Sequence, residues 1–200
     1  MNVLQEVLDL EWPMFHNVNN AGGKADCQFK KKTFTMMRVS QFSSWDIPTL
    51  EAYWQDLKKA VAEGRNLMTE KYARMMETTA PQEYARFADK LPAIDAKTLE
   101  IVEGIVTIQT ACRAVFEEKY PKTASAGRKL YTADDRNDDT SFETYLRAEL
   151  KTYSMETLLR YRANLMDLLS KRENIIEIIM TTMVKFYGYT SLAECEGKAV

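Results

Sequence analysis

Apolar side chains recur along this chain at intervals of three and four, and no stretch alternates apolar with polar residues cleanly enough for a half-buried strand. The clearest run carries Leu99, Val102, Val106, Ala111 and Phe116 toward Tyr120, with Asp95 in place to cap the start and Pro121 to stop the end. Side chains at this spacing share one face of a helix. The periodicity commits the chain to an all-α fold.

The same spacing predicts further helices. Val3, Leu4, Val7, Leu8, Trp12 and Phe15 mark one from Val3 to about Val18, with a kink or break expected near Asp9–Pro13 because Pro13 removes an amide donor. A second takes Phe29 to Phe42. A third starts at Asp46-Ile47-Pro48, where Asp46 can accept an early amide and Pro48 suits the first turn, and ends at Gly64. Leu67 to Glu77, with Tyr72, Met75 and Met76 inward, and Pro81 to about Ala88 come next. Thr140-Ser141-Phe142-Glu143 fits a capping box for a helix over Ser141 to Leu150, with Thr140 as cap and Glu143 folding back. A long helix is expected from Met155 to Phe186, bent near Ser170, with Leu158, Leu165, Leu169, Ile176, Ile179, Met183 and Phe186 buried and Gly188 as its stop. No repeat of fixed period occurs, so a solenoid is not expected. The pattern describes a single-domain irregular bundle of about eight helices over residues 1–200, with helices 95–120 and 155–186 as struts and the polar stretch 122–139 loosely packed.

Lys and Arg total 27 against 29 Asp and Glu, a near balance that argues against a nucleic-acid partner. No run of eighteen apolar residues offers a membrane span, and the acidic, amphipathic start MNVLQEVLDLEW lacks the basic flank of a secretory signal. Cys27, Cys112 and Cys195 are scattered, with no CxxC and one histidine, which fits reduced thiols in a cytoplasmic protein and no metal site.

Chemistry-bearing residue types gather between His16 and Trp45. Asn19-Asn20-Ala21-Gly22-Gly23 cannot sit comfortably in a helix and reads as a loop. His16 can serve as a metal ligand or general base with Glu11 five residues earlier, although a capping or packing role ranks ahead. Arg38 lies between Met37 and Val39 on an apolar helix and must find partners. Internal pairing with Glu11 or Asp26 ranks ahead of a ligand carboxylate or phosphate. Gln28, Ser40, Gln41 and Asn20 offer neutral hydrogen-bonding groups, and Cys27 near a helix start is a candidate nucleophile. Gly22-Gly23-Lys24 fits no phosphate-loop spacing, Asp134 to Asp139 fits no calcium loop, and Lys30 to Lys32 read as a solvated turn. Glu143 and Arg147 are spaced for a helical ion pair, whereas an inward Arg147 would join Arg38 in a cationic pocket.

Glu11-Trp12-Pro13-Met14-Phe15, Val18-Asn19-Asn20, Gly22-Gly23, Cys27-Gln28, Thr33-Phe34, Met37-Arg38 and Ser40-Gln41-Phe42 together resemble the bacterial domain-of-unknown-function family four-one-two-five. Thr140 to Ser154 and Tyr187-Gly188-Tyr189 extend the resemblance over nearly the whole chain. It implies no established activity and no assigned catalytic residues, and it leaves any cofactor unknown. The expected function is therefore read from the residues. A cytoplasmic helical protein would bind a small anionic molecule at the join of the first two helices, through Asn20, Gly22, Gly23, Gln28, Arg38 and Gln41, with Arg147 nearby. Two alternatives stand beside it. One is a transferase or hydrolase using His16, Cys27 or Glu11. The other is an interaction protein, recognisable as a homodimer that buries the last long helix.

Overall fold

Most of the helices begin where a polar side chain can take up a free first-turn amide. Asp46 accepts from Thr49 N, Asn66 from Thr69 N, Asp95 from Thr98 N, Ser141 from Thr144 N and Ser154 from Thr157 N. These caps fix the entries of a computed structural model that describes residues 2–19, 23–137 and 139–198. The helices are α1 (Val3–His16), α2 (Lys31–Phe42), α3 (Ile47–Ala62), α4 (Leu67–Thr79), α5 (Pro81–Tyr84), α6 (Ala96–Lys119), α7 (Pro121–Ser125), α8 (Phe142–Leu150), α9 (Met155–Ser170), α10 (Ile175–Phe186) and α11 (Leu192–Lys198). Short 3-10 turns occupy Asp26–Phe29, Ala88–Lys90 and Thr132–Asp134, and no strand occurs among the described residues. The fold is an all-α irregular bundle in one domain.

Among the described residues eleven helices replace the expected eight, because one expected run divides into α9 and α10 and the short α7 and α11 are added. The segment expected as one helix from Phe29 is a 3-10 turn followed by α2 from Lys31. The segment expected as one long helix from Met155 is α9 and α10, parted at Lys171–Asn174. There Arg172 takes φ +62°. Glu173 N donates to Leu168 O and Arg172 N to Leu169 O, each at 2.9 Å, which closes α9 before Asn174 caps α10. Because of this break Leu169 and Phe186 face outward instead of joining the core.

Three local expectations also change. Ser141, not Thr140, caps α8, and Glu143 accepts Thr132 N at 2.8 Å instead of folding back on the cap. Helix α1 runs unbroken through Pro13 and ends at His16. Its buried Val7, Leu8 and Met14 pack it on α3 and α4, and that packing holds it together where Pro13 withholds a bond. On α4 the half-buried Tyr72 and Met76 leave the deepest positions to Leu67, Met68, Lys71, Arg74 and Met75.

The core joins Val7, Leu57, Ile105, Phe116, Leu150, Leu158, Leu165 and Ile175 around an aromatic group of Phe42, Trp45, Tyr53, Tyr153 and Tyr161. Helix α6 is a central strut that packs on α7, α8, α9 and α10. Between α7 and α8, Phe142 N donates to Lys129 O and Glu143 N to Leu130 O, which brings buried Leu130 against the bundle. No helix among the described residues is long and apolar enough to cross a membrane.

Candidate functional site

At the end of α1 the polar residues close the helix. Gln28, 2% exposed, donates its side-chain amide to the carbonyls of Phe15, His16 and Val18 at 2.9–3.2 Å and accepts Ala25 N at 2.8 Å. Its own carbonyl lies 2.8 Å from His16 Nδ1, and the His16 ring packs beside Trp12 and Phe29. Gln28 thus takes up the orphan acceptors of a helix terminus. Gly23 turns the chain at φ +86°, and Cys27 is exposed in the 3-10 turn. Asn20 and Gly22 lie outside the described residues, as do Ala21 in the same loop and Asp138 in the acidic run.

Deeper in, Arg38 grips Glu11 with both prongs of its fork: Nε donates to Oε2 at 2.8 Å and Nη2 to Oε1. Its Nη1 reaches Gln41 Oε1 at 2.6 Å and Glu149 Oε1 at 2.8 Å, while the guanidinium plane lies 4.5 Å from the Phe42 ring centre. Glu149 Oε2 accepts Lys71 Nζ at 2.7 Å. Tyr53 and Tyr153 donate their hydroxyls to Glu11 and Glu149 at 2.6 and 2.9 Å. Two cations and two carboxylates therefore form a buried, neutral set from α1, α2, α4 and α8. Burial alone would raise the Glu149 carboxyl, but the Lys71 ammonium and the Arg38 guanidinium outweigh it and hold the carboxyl well below the usual carboxylate range. Burial also opposes the charge on Arg38, and Glu11 and Glu149 reverse that, raising its pKa.

Of the residues singled out in the sequence, Glu11, Arg38 and Gln41 meet in this set, and His16 and Gln28 meet at the helix end. Arg147 joins neither. It pairs with Glu103 at 2.8 Å and with Glu143 at 2.8 Å on the far side of α8. Glu149 and Tyr153 belong to the polar-aromatic group around Glu143 and Arg147, and Tyr53 to the apolar face of the third helix, but nothing in the sequence ties them to Arg38; Lys71 left a signal of its own, falling at the three-and-four spacing from Leu67, Met68 and Met75, on a stripe that should be apolar. Among the described residues no group of three or more His, Cys, Asp or Glu side chains is placed to hold a metal ion.

A polar cleft of about 280 Å³ opens elsewhere, between α3, α4, the start of α6 and the link from α8 to α9. Arg74, also unremarked in the sequence, lies in its wall and is 7% exposed. It follows Lys71 by three residues on the buried face of α4. Its Nη2 donates to Pro92 O at 2.7 Å, and Pro92 is itself a wall residue. Its Nε is buried without a partner, and no carboxylate among the described residues pairs with it. Burial is the largest influence on Arg74 and outweighs the attraction of Tyr84, Glu70 and Glu77, so its pKa falls, whereas for Arg38 the carboxylates outweigh burial. The other cations of the cleft have carboxylates outside it: Arg65 pairs with Glu70 and Glu63, Lys151 with Glu77, and Lys59 with Glu63. The two acids in the wall are occupied. Asp95 caps α6, and Asp56 Oδ2 accepts Ser154 N at 2.9 Å and Thr157 Oγ1 at 2.7 Å. Leu67, Asp95 and Ser154, at the starts of α4, α6 and α9, all line the space. Helix starts carry free amides and partial positive charge.

No curated protein and no solved structure matches the chain. One family profile does, with the description "Protein of unknown function (DUF4125)", over residues 1–197. That span takes in both the Glu11–Arg38–Glu149–Lys71 set and every wall of the cleft, and the chain belongs to the DUF4125 family.

Proposed function

We propose that this protein binds a small anionic molecule, and that the molecule sits in the Arg74 cleft. The carrying observation is a guanidinium only 7% exposed, without a carboxylate partner, at the wall of a space where three helices begin. A buried unpaired charge is costly, and an anionic ligand supplies the missing partner in the planar geometry that arginine favours. The join of α1 and α2 is the poorer host, because Arg38 already holds two carboxylates there. Free Cys27, Cys112 and Cys195 support a reducing compartment such as the cytoplasm.

The test is thermal unfolding in inorganic phosphate and in sulfate, for the native protein and for Arg74→Gln. A ligand at a hundred times its dissociation constant stabilises by about 2.7 kcal/mol, and that gain is expected in the native protein and absent in the variant. Amide chemical shifts locate the site independently: Lys97 and Glu156, in the first turns of α6 and α9, should move while Gln41 does not. Equal stabilisation of both proteins, or shifts confined to the α1–α2 join, would overturn the assignment.

A further inference from the structure

We propose that a second copy of this chain docks antiparallel on the outer side of α9, through a two-fold contact that the charges of that helix fit. Helix α9 buries Leu158, Tyr161, Leu165 and Leu168 in the core, yet it carries a second apolar stripe. Leu159, Ala163 and Met166 follow one another at four and three residues on the outer side, and all three are exposed. Beside the stripe lies an open groove of about 480 Å³ between α6 and α9, with Ile108, Ala111, Val115 and Leu169 in its walls. Large apolar side chains thus stand exposed together on two neighbouring helices, and a gathered patch of this kind marks an interaction site where scattered ones would not. Gly104 lies four residues before Ile108 on the same face of α6. A Cβ there would meet nothing within 4 Å, so the chain itself gives no reason for a glycine inside this helix. Close approach by a helix of another molecule gives one.

The charges select the occupant. Glu156, Arg160, Asp167 and the capping Lys171 lie along one flank of the stripe, negative and positive in turn, and pair within the helix as Arg160 with Glu156 and Lys171 with Asp167. In an antiparallel pair centred between Ala163 and Asn164, Glu156 stands level with Lys171 of the second copy, and Arg160 with its Asp167. Two-fold symmetry sets the same flank of each helix against the other, so every charge on it meets its opposite. Small Ala163 falls at the crossing, and Leu159 enters between Met166 and Ser170 of the second copy, as interdigitating ridges require. A parallel pair would set each charge against itself. Asp46 near Arg160 and Glu173 near Lys171 lie beside the flank and leave the alternation along α9 unchanged. Arg162, the one charge on the opposite flank of the stripe, is exposed, and its long stem lets the guanidinium stay in water.

The experiment is sedimentation equilibrium of the full chain across the micromolar range, for the native protein and three variants. A half swap, Glu156→Lys with Arg160→Glu, keeps an ion pair within the helix but sets like charges level across the contact. A full swap adds Asp167→Lys with Lys171→Glu and restores opposite charges throughout. Met166→Lys places a charge on the stripe at a position open to water, where the fold accepts it. The native chain is expected to dimerise. The half swap should weaken the dimer about tenfold, since four exposed pairs turn from attraction to repulsion, and the full swap should return it to within about threefold of native. Met166→Lys should be monomeric. A native chain that stays monomeric throughout overturns the second copy as occupant, and a different protein bound through Met166 would then take its place. A dimer that the half swap weakens and the full swap does not restore overturns the antiparallel register. A dimer indifferent to Met166→Lys overturns the docking surface itself.

Discussion

Glu149 holds four groups at once: Arg38, Lys71, Gln41 and Tyr153. Removing one member of a buried charge set leaves the others unmatched, at a cost of about 3–5 kcal/mol. Glu149→Gln should therefore lose about that much unfolding free energy in urea at pH 7. The folded carboxyl is held below its ordinary pKa, so its contribution is complete above the unfolded value of about 4.3 and is lost as pH falls below it. The gap between native and variant should narrow from pH 5 to pH 3, and a constant gap would refute an ionised Glu149. Half of this was legible in the sequence. An arginine on an apolar helix announces a need for carboxylates, and Glu11 was one of two candidates. Glu149 lies 111 residues beyond Arg38, a separation that no local pattern bridges. Arg74 was overlooked because a charged residue on α4 reads as solvent-facing unless the register of the helix is already known.

Helix termination shows where sequence rules reach and where they stop. Gly64 and Gly188 take φ +68° and +87°, and each ends a helix the sequence had ended there. Behind Gly64, Arg65 N bonds Ala60 O, and behind Gly188, Tyr189 N bonds Val184 O. The link between α9 and α10 repeats this geometry with Arg172 in the glycine position. The rule looks for glycine, so the stop was invisible and one long helix was expected. A non-glycine residue there is strained by about 1–2 kcal/mol, partly offset by the lower chain entropy it brings to the unfolded state. Arg172→Gly should raise stability by about 0.5–1 kcal/mol, read as a higher urea midpoint at unchanged slope. A lower midpoint would show that the arginine side chain does more than cap.

The whole molecule is bound together by polar and apolar cores at once. Replacing the charged set in a single step, with Glu11→Leu, Arg38→Met, Lys71→Met and Glu149→Leu beside Tyr53→Phe and Tyr153→Phe, removes every charge together with both hydroxyl partners and leaves the half-buried Gln41 to water. Such exchanges are neutral or stabilising by about 1–4 kcal/mol where the volume is filled. The combined variant should match or exceed the native protein in urea, far above Glu149→Gln alone. A combined loss larger than that single one would mean that the set does more than balance itself. Class and caps were readable because they follow from spacing within a dozen residues, whereas the cleft assembles from α3, α4, α6 and the α8–α9 link, remote in sequence. Glu149 is also the last of the four buried charges in order of synthesis. A nascent chain of the first 140 residues carries Arg38 and Lys71 against Glu11 alone, one positive charge in excess. The amino-terminal helices leave the ribosome without their closing counter-ion, and α8 delivers it.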